Sequence, residues 1–494
     1  MVTDVPPVLD YRCSFVAGRW IGGDAAFAVE NPADESLVAE LAAAPLEEVR
    51  RAIREARRSF DEGTWADLAP RDRARVLQTM LDHLESLHEP LVASMVAEAG
   101  QPVLFAEMAQ YAAGMTLARN TIELYLALPH EEANPVPADE LVRGRVALSL
   151  RRHEPVGVVV AITPYNGAII MAFQKLFAAL VAGNSVILRP SPLTPLSSLA
   201  FGAAAEAAGL PAGVLSVVVE PGAAGAELLT TDPAVDMVSF TGSTVVGRQI
   251  LAQAASTVKR VALELGGKSA QVYLPDAVHR VAAGAVQVVA MTAGQACVAA
   301  TRMLVPQERK DEVLDAVSAA YTGITVGPPS DQAAMMGPLI TAAQRDRCER
   351  FVVLGEENGG KVVVGGGRPS GLTRGYYFEP TVLDLPDNAN PAAQEEIFGP
   401  ILAVIGYRDL DDAVRIANDS IYGLSGQVYG ADLATATAVA RRIRSGAVNV
   451  NTSMFSAYAP SGGYKQSGLG RERGVEGIRA FQEIKHLCIG ELPA

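Results

Sequence analysis

The chain is 494 residues long, 49% hydrophobic and 19% charged, with 45 glycines and a formal net charge of −14. That length exceeds one simple core and predicts two or three domains. The acidity excludes a nucleic-acid binder, whose phosphate affinity rests on clustered Lys and Arg, and reads as a solubility device. In chain order, residues 14–30, with Phe15 to Ile21 followed by Gly22-Gly23, read as a short hairpin. From Pro45 to about Leu128 the pattern is helical. Leu46, Val49, Ile53 and Ala56 recur at helical spacing, as do Leu77, Met80, Leu81, Leu84 and Leu87. These stripes read as packing faces without chemistry. After the acidic, Pro-containing stretch 129–139, residues 141–153 read as an extended strand. It either leaves the body to pair elsewhere or forms an ordinary surface hairpin.

The apolar run from Val156 to Leu188 contains Lys175 and is broken by Pro164-Tyr165-Asn166-Gly167. A strand, a turn, a buried helix and a second strand fit it better than a membrane span, because a charge in hydrocarbon is costly. Apolar β-type runs then fall at Val156–Ile162, Ser185–Leu188, Val214–Val219, Val235–Phe240 and Arg260–Leu265, with helical segments between them. One helix is well punctuated: Thr194 as N-cap, Pro195 in the first position, Gly209 at the end and Pro211 after it. Such alternation predicts right-handed βαβ units and a parallel sheet, with ligands beyond the carboxyl ends of its strands. The unusual residues cluster at those ends. The turn Phe240-Thr241-Gly242-Ser243-Thr244 is a Gly-containing strand-to-helix junction, suited to a pyrophosphate or to a simple Ser/Thr cap.

Glu264 closes the last of these strands beside Gly266 and Gly267. Downstream, a run from Val278 to Ala293 reads as a buried helix and delivers Cys297 in a small-residue loop. A thiol and a carboxylate that meet in space supply a nucleophile and a base; a lone Cys is otherwise a small buried hydrophobe. The other cysteines, Cys13, Cys348 and Cys488, stand far apart without a CxxC, so free thiols in a reducing compartment are expected. Six scattered His give no paired ligand spacing, and no metal is expected. Residues 1–15 show no basic-then-apolar leader.

Six stretches carry a resemblance. They are Ile162-Thr163-Pro164-Tyr165-Asn166, Phe240-Thr241-Gly242-Ser243-Thr244, Glu264-Leu265-Gly266-Gly267-Lys268, Gly294-Gln295-Ala296-Cys297, Glu395-Glu396-Ile397-Phe398-Gly399-Pro400, and Pro460-Ser461-Gly462-Gly463-Tyr464-Lys465 with Ser467-Gly468 and Gly470-Arg471-Glu472. In this order and spacing the chain resembles the aldehyde dehydrogenase superfamily, hydrolytic NAD(P)-dependent type, over essentially its whole length. The resemblance implies that Cys297 attacks an aldehyde, that Asn166 and the Cys297 backbone N–H receive the oxyanion, and that Glu264 is the base that lets water cleave the thioester. It implies a proton-moving role for Lys175. It also implies NAD as cofactor, with NADP possible, held by Thr163, Pro164, Tyr165, Arg189, Ser191, Gly222, Phe240, Thr241, Gly242, Ser243, Leu265, Gly266, Glu396 and Phe398. Glu396 would grip the nicotinamide ribose.

Three departures from the family pattern stand out. Where members commonly read Lys-Pro-Ser/Ala-Glu, this chain has Arg189-Pro190-Ser191-Pro192. The lost Glu normally holds the adenine-ribose hydroxyls, and Arg189 is a phosphate-reading residue. The usual Trp before the Asn is Tyr165, and Gly167 replaces a bulky residue. Ser461 and Gln174 replace common aromatics. The expected pocket lining is Tyr165, Gly167, Met171, Val298, Phe455, Tyr458 and Ser461. The implied fold is α/β: a Rossmann-like parallel-sheet cofactor domain (1–138 and 152–263), an α/β catalytic domain (264–470) and a small β oligomerisation arm (139–151 and 471–494). A cytoplasmic homodimer or homotetramer acting on a small-molecule aldehyde is expected, without nucleic-acid or membrane partners. The runner-up readings are an NADP-linked semialdehyde dehydrogenase and a CoA-acylating enzyme.

Overall fold

The computed structural model describes residues 7–137, 148–290, 292–454 and 456–490. Its first sheet has eight strands, ordered 468–469, 260–264, 237–241, 158–162, 185–189, 215–217, 14–16 and 19–21. The middle five run parallel. Strand Ser14–Val16 is antiparallel to Leu215–Val217, and Gly468–Leu469 is antiparallel to Arg260–Glu264. Taken in chain order, the five parallel strands lie 5-4-1-2-3, so the winding reverses between Val158–Ile162 and Met237–Thr241. A reversal of this kind opens a crevice at the carboxyl ends, where doubly wound sheets bind dinucleotides.

The continuous apolar strands have the cause expected of a sheet buried on both faces. In Val158–Ile162, Val159 and Ala161 enter one hydrophobic cluster while Val158, Val160 and Ile162 enter the other. Helices Leu46–Asp61 and Ala168–Val181 pack on this layer. The helical residues 46–127 fold as several helices, including a π-helical turn at Ala106–Ala112. Of the hairpin expected over residues 14–30, only 14–21 form one, closed at Ala17-Gly18; Ala26–Glu30 pairs instead with Leu37–Ala42 in a separate two-stranded sheet.

A second sheet of seven strands carries its own core: 361–364, 381–384, 401–407, 302–306, 270–273, 426–429 and 449–450. Strands Leu148–Pro155, Gln482–Ile489 and Glu131–Ala133 make a separate three-stranded sheet. The extended segment therefore pairs with the C-terminal strand of its own chain. Its first half, 141–147, lies outside the described residues, as do Phe455 and most of residues 139–151. No described helix is long and apolar enough to cross a membrane.

The cap expected of Thr194 is supplied by another residue. Helix Leu196–Ala207 begins without a side-chain cap from its own segment. The buried carboxylate of Glu98 accepts from Leu196 N (2.8 Å) and Ser197 N (3.0 Å) instead. A charge-bearing cap from a distant helix satisfies two of the orphan N–H groups at once, and it replaces the local hydroxyl.

Candidate active site

Residues from both sheets converge at the reversal point. Asn166 follows the first parallel strand and starts the turn into helix Ala168–Val181. Its Nδ2 donates to the carbonyl of Gln295 (2.7 Å), two residues before Cys297. An amide nitrogen has two N–H donors, so a second remains for a ligand. The Asn166 carbonyl is itself gripped by Gln101 Nε2 (2.8 Å) and Gln110 Nε2 (2.9 Å), both buried. The helical region read as pure packing thus contributes to the site, and Gln110 sits in the π-helical turn, a distortion common at functional sites. Only the fold could reveal it, since neither Gln lies in a recognisable motif.

The Cys297 loop is fixed from several sides. Thr292 Oγ1 donates to the Gln295 carbonyl (3.0 Å), and the Gln295 side chain bridges Thr292 O and Ile340 N. A Cβ on Gly267 would stand 2.3 Å from the Cys297 carbonyl, so the Glu264–Lys268 turn approaches closely because it is glycine. Likewise a Cβ on Gly462 would lie 2.8 Å from Glu264 Oε1. Burial, then Glu396 and Glu264, push the Cys297 thiol up to about 12, against the backbone N–H groups of Val298 and Cys297 that favour thiolate. Burial first, and then Glu472, push Glu264 up to about 8; Lys175, Arg471 and Arg473 oppose them. Burial thus favours the uncharged forms of both groups, thiol over thiolate and acid over carboxylate.

Lys175 is wholly buried. It pairs with Glu472 Oε1 and donates to Ser239 Oγ (3.0 Å), so a solvent-reaching ammonium is ruled out. Glu472 was visible only as part of the Gly470-Arg471-Glu472 match. Gln174 donates to Glu472 and accepts from Arg473 Nε (2.7 Å), which fills a place where the family pattern has an aromatic with a polar chain.

Ser243 caps helix Thr244–Ala254 through Val246 N (3.3 Å), a cap that uses one of the first-turn N–H groups and leaves others without it. Gly242 N donates to the Glu264 carbonyl (3.0 Å), and a Cβ on Gly242 would strike the Phe240 ring. Thr163 and Thr241 close adjacent strands, and their buried hydroxyls have no hydrogen-bond partner among the described residues. Orphan hydroxyls in such a crevice call for a polar ligand. Glu396 Oε1 accepts from Gly267 N (2.9 Å), and a Cβ on Gly266 would meet the same carboxylate; Leu265 packs against Gly247. Phe398, at φ +62°, stands edge-on to Tyr165 at 6.0 Å. Orphan hydroxyls, a carboxylate and a helix N-terminus are together the kind of set a dinucleotide needs. Arg189 is not a free cation: it pairs with Glu220 (3.1 Å). Ser191 and Gly222 lie on the adjoining turns, Gly222 exposed.

Of the expected pocket residues, Gly167 is buried against Met171, Val298 and Ser461 are half-buried beside the Cys297 loop and the Glu472 segment, and Tyr458 is 53% exposed. Phe455 lies outside the described residues. A cavity of about 450 Å³ between Arg151, Arg260 and Arg479 belongs to the three-stranded sheet and shares no residue with this site.

The model of the aldehyde dehydrogenase family matches residues 20–487. A geranial dehydrogenase of Castellaniella defragrans is 39% identical over 97% of this chain and 99% of its own. An aldehyde dehydrogenase of Mycobacterium tuberculosis, solved with NAD+, superposes with a TM-score of 0.93 at 38% identity, covering 98% of this chain and 99% of that one. A Cys-to-Ala mutant of aldehyde dehydrogenase C from Pseudomonas syringae, solved with NAD+ and octanal, gives 0.91 at 35% identity, with 98% of each chain covered.

Proposed function

We propose, from the premise that this chain belongs to the aldehyde dehydrogenase family, that Cys297 is its nucleophile, Asn166 its oxyanion donor and Glu264 its hydrolytic base. The reaction is oxidation of an aldehyde to its carboxylic acid with a nicotinamide dinucleotide as electron acceptor, and NAD is the cofactor. The single observation that best supports the residue roles is the Asn166 amide tied to the loop two residues from the sulfur, with one N–H still unused.

With Glu396 and the Ser243 helix end to hold it, a nicotinamide dinucleotide bound in the crevice would supply the hydride acceptor. The Cys297 thiol releases its proton to water, and the thiolate so formed adds its electron pair to the aldehyde carbon. The free N–H of Asn166 and the Cys297 backbone N–H take the negative charge that develops on oxygen. After oxidation the acyl group remains on sulfur as a thioester. Glu264, in its deprotonated form, removes a proton from water, and the acid leaves while Cys297 regains its thiol. Lys175 and Glu472 hold the buried end of the charge cluster around Glu264. A carboxylate at this position supports water over CoA as the acyl acceptor.

The finer parts of the reading are an assembly of two or four copies through the exposed face of strands Leu148–Pro155 and Gln482–Ile489, and a cytoplasmic location in keeping with four unpaired cysteines. Segments 1–138 and 152–263 serve as the cofactor domain, 264–470 as the catalytic domain and 139–151 with 471–494 as the arm. An aldehyde panel read by nicotinamide absorbance, with and without CoA, tests the chemistry. Free acid should form in step with reduced cofactor, independent of CoA. Cys297→Ser should cut turnover by on the order of 10⁴-fold or more while leaving NAD binding in place. Retained turnover in that variant would remove the nucleophile assignment.

A further inference from the structure

The strands Ser185–Arg189 and Leu215–Val217 lie one and two places outward from the Asn166 strand, and their carboxyl ends bring Arg189 and Glu220 together. The Glu220 carboxylate is 6% exposed. Its Oε1 accepts from Arg189 Nε (3.1 Å) and Ala226 N (2.9 Å), and its Oε2 accepts from Gly225 N (3.0 Å). The guanidinium is tied further by Nη2 donation to the Gly222 carbonyl (2.7 Å). Gly225 and Ala226 are in the first turn of helix Ala224–Thr231. A Cβ on Gly225 would stand 2.7 Å from the carboxylate, so glycine is what admits Glu220 to the helix end.

Two features of this rim attract anions: a guanidinium and the N-terminus of a helix. One buried carboxylate neutralises both. Three of the roughly four lone-pair positions of a carboxylate are used here, and one on Oε2 remains to accept a hydroxyl. In dinucleotide folds a carboxylate at this rim holds the ribose diol, whereas an unpaired Arg accommodates a 2′-phosphate. Pro192, on the loop after Arg189, offers no polar side chain that could do either.

We infer that Glu220 is the residue that selects NAD over NADP, by accepting from the adenosine ribose and by holding Arg189 and the helix end away from a 2′-phosphate. The inference rests on the cofactor reading above and deepens it.

Calorimetric titration of the full-length protein with NAD and with NADP, without aldehyde, tests it independently of turnover. The wild type should bind NAD at least tenfold more tightly than NADP. Glu220→Gln keeps the side-chain shape but frees the guanidinium, and should tighten NADP at least tenfold while weakening NAD only a few-fold. Arg189→Ala in that background should erase the gain. Arg189→Ala alone should leave the weak NADP affinity unchanged, which keeps the inference exposed even if Glu220→Gln fails to fold. Equal binding of the two cofactors by the wild type, an unchanged ratio in a folded Glu220→Gln, or a tenfold loss of NADP affinity in Arg189→Ala alone would each overturn it. Failure of the wild type to bind either dinucleotide would overturn the cofactor reading together with this inference; binding of NAD with an unaltered ratio in Glu220→Gln would overturn this inference alone.

Discussion

Asn166 stands just beyond the carboxyl end of its strand and Arg189 closes the neighbouring parallel strand, with Ile162 opposite Arg189 in register, yet they are held by different means. Asn166 is fixed by neutral hydrogen bonds: its amide to the Gln295 carbonyl, its own carbonyl to Gln101 and Gln110. Arg189 is fixed by charge, through Glu220. The difference teaches what each place must do. A reacting centre needs dipoles that are already aimed and that do not move when charge develops. A cofactor rim needs a charge pattern that discriminates between ligands.

Breaking the neutral side of this comparison should cost most. Asn166→Ala should lower kcat by about 10²–10³-fold, the usual loss for one oxyanion donor, with NAD affinity measured by titration nearly unchanged. A loss under tenfold would shift the oxyanion role to the backbone alone. Next comes Glu264, the titrating member of the centre. Glu264→Gln should show an initial burst of reduced cofactor followed by steady-state turnover roughly 10²-fold slower. Only the deprotonated carboxylate takes a proton from water. Because the Glu264 side chain is pushed up to about 8, wild-type steady-state turnover should climb as pH rises through about 8. That limb should vanish in Glu264→Gln, and its persistence would mean that another group titrates.

Smaller effects sharpen the contrast. Gln110→Ala removes one of two donors to the Asn166 carbonyl. With a net value near ~1 kcal/mol for one such bond, kcat should fall about fivefold while the NAD/NADP affinity ratio stays fixed, as rapid-mixing and titration together would show. Glu98 lies outside both places and serves the fold. Glu98→Ala should lower unfolding free energy by about 1–2 kcal/mol through loss of the cap, read by denaturant titration, with the site's kinetics spared. Burial pushes the Glu98 carboxyl up from 4.5 to about 7. Between those values the folded state binds the extra proton, so this group's contribution to stability falls as pH rises across that window. Glu98→Gln should flatten that slope.

Much of this protein was decided locally and is legible in the chain. Apolar runs of strand length separated by helical segments, with Gly and Pro between them, require a doubly wound parallel sheet, because β-runs buried on both faces have few other ways to pack. Motifs such as Gly294-Gln295-Ala296-Cys297 and Glu264-Leu265-Gly266-Gly267 announce a thiol and a carboxylate beside close backbone approaches. What the tertiary structure alone decided is the pairing of buried polar groups: Glu98 with the helix at Leu196, Gln101 and Gln110 with Asn166, Glu472 with Lys175, and Glu220 with Arg189. Periodicity and turn chemistry act over a few residues, so a single stretch displays them. A buried donor or acceptor takes whatever partner the packed chain brings within about 3 Å, and that partner lies from tens to hundreds of residues away, where no local pattern points to it.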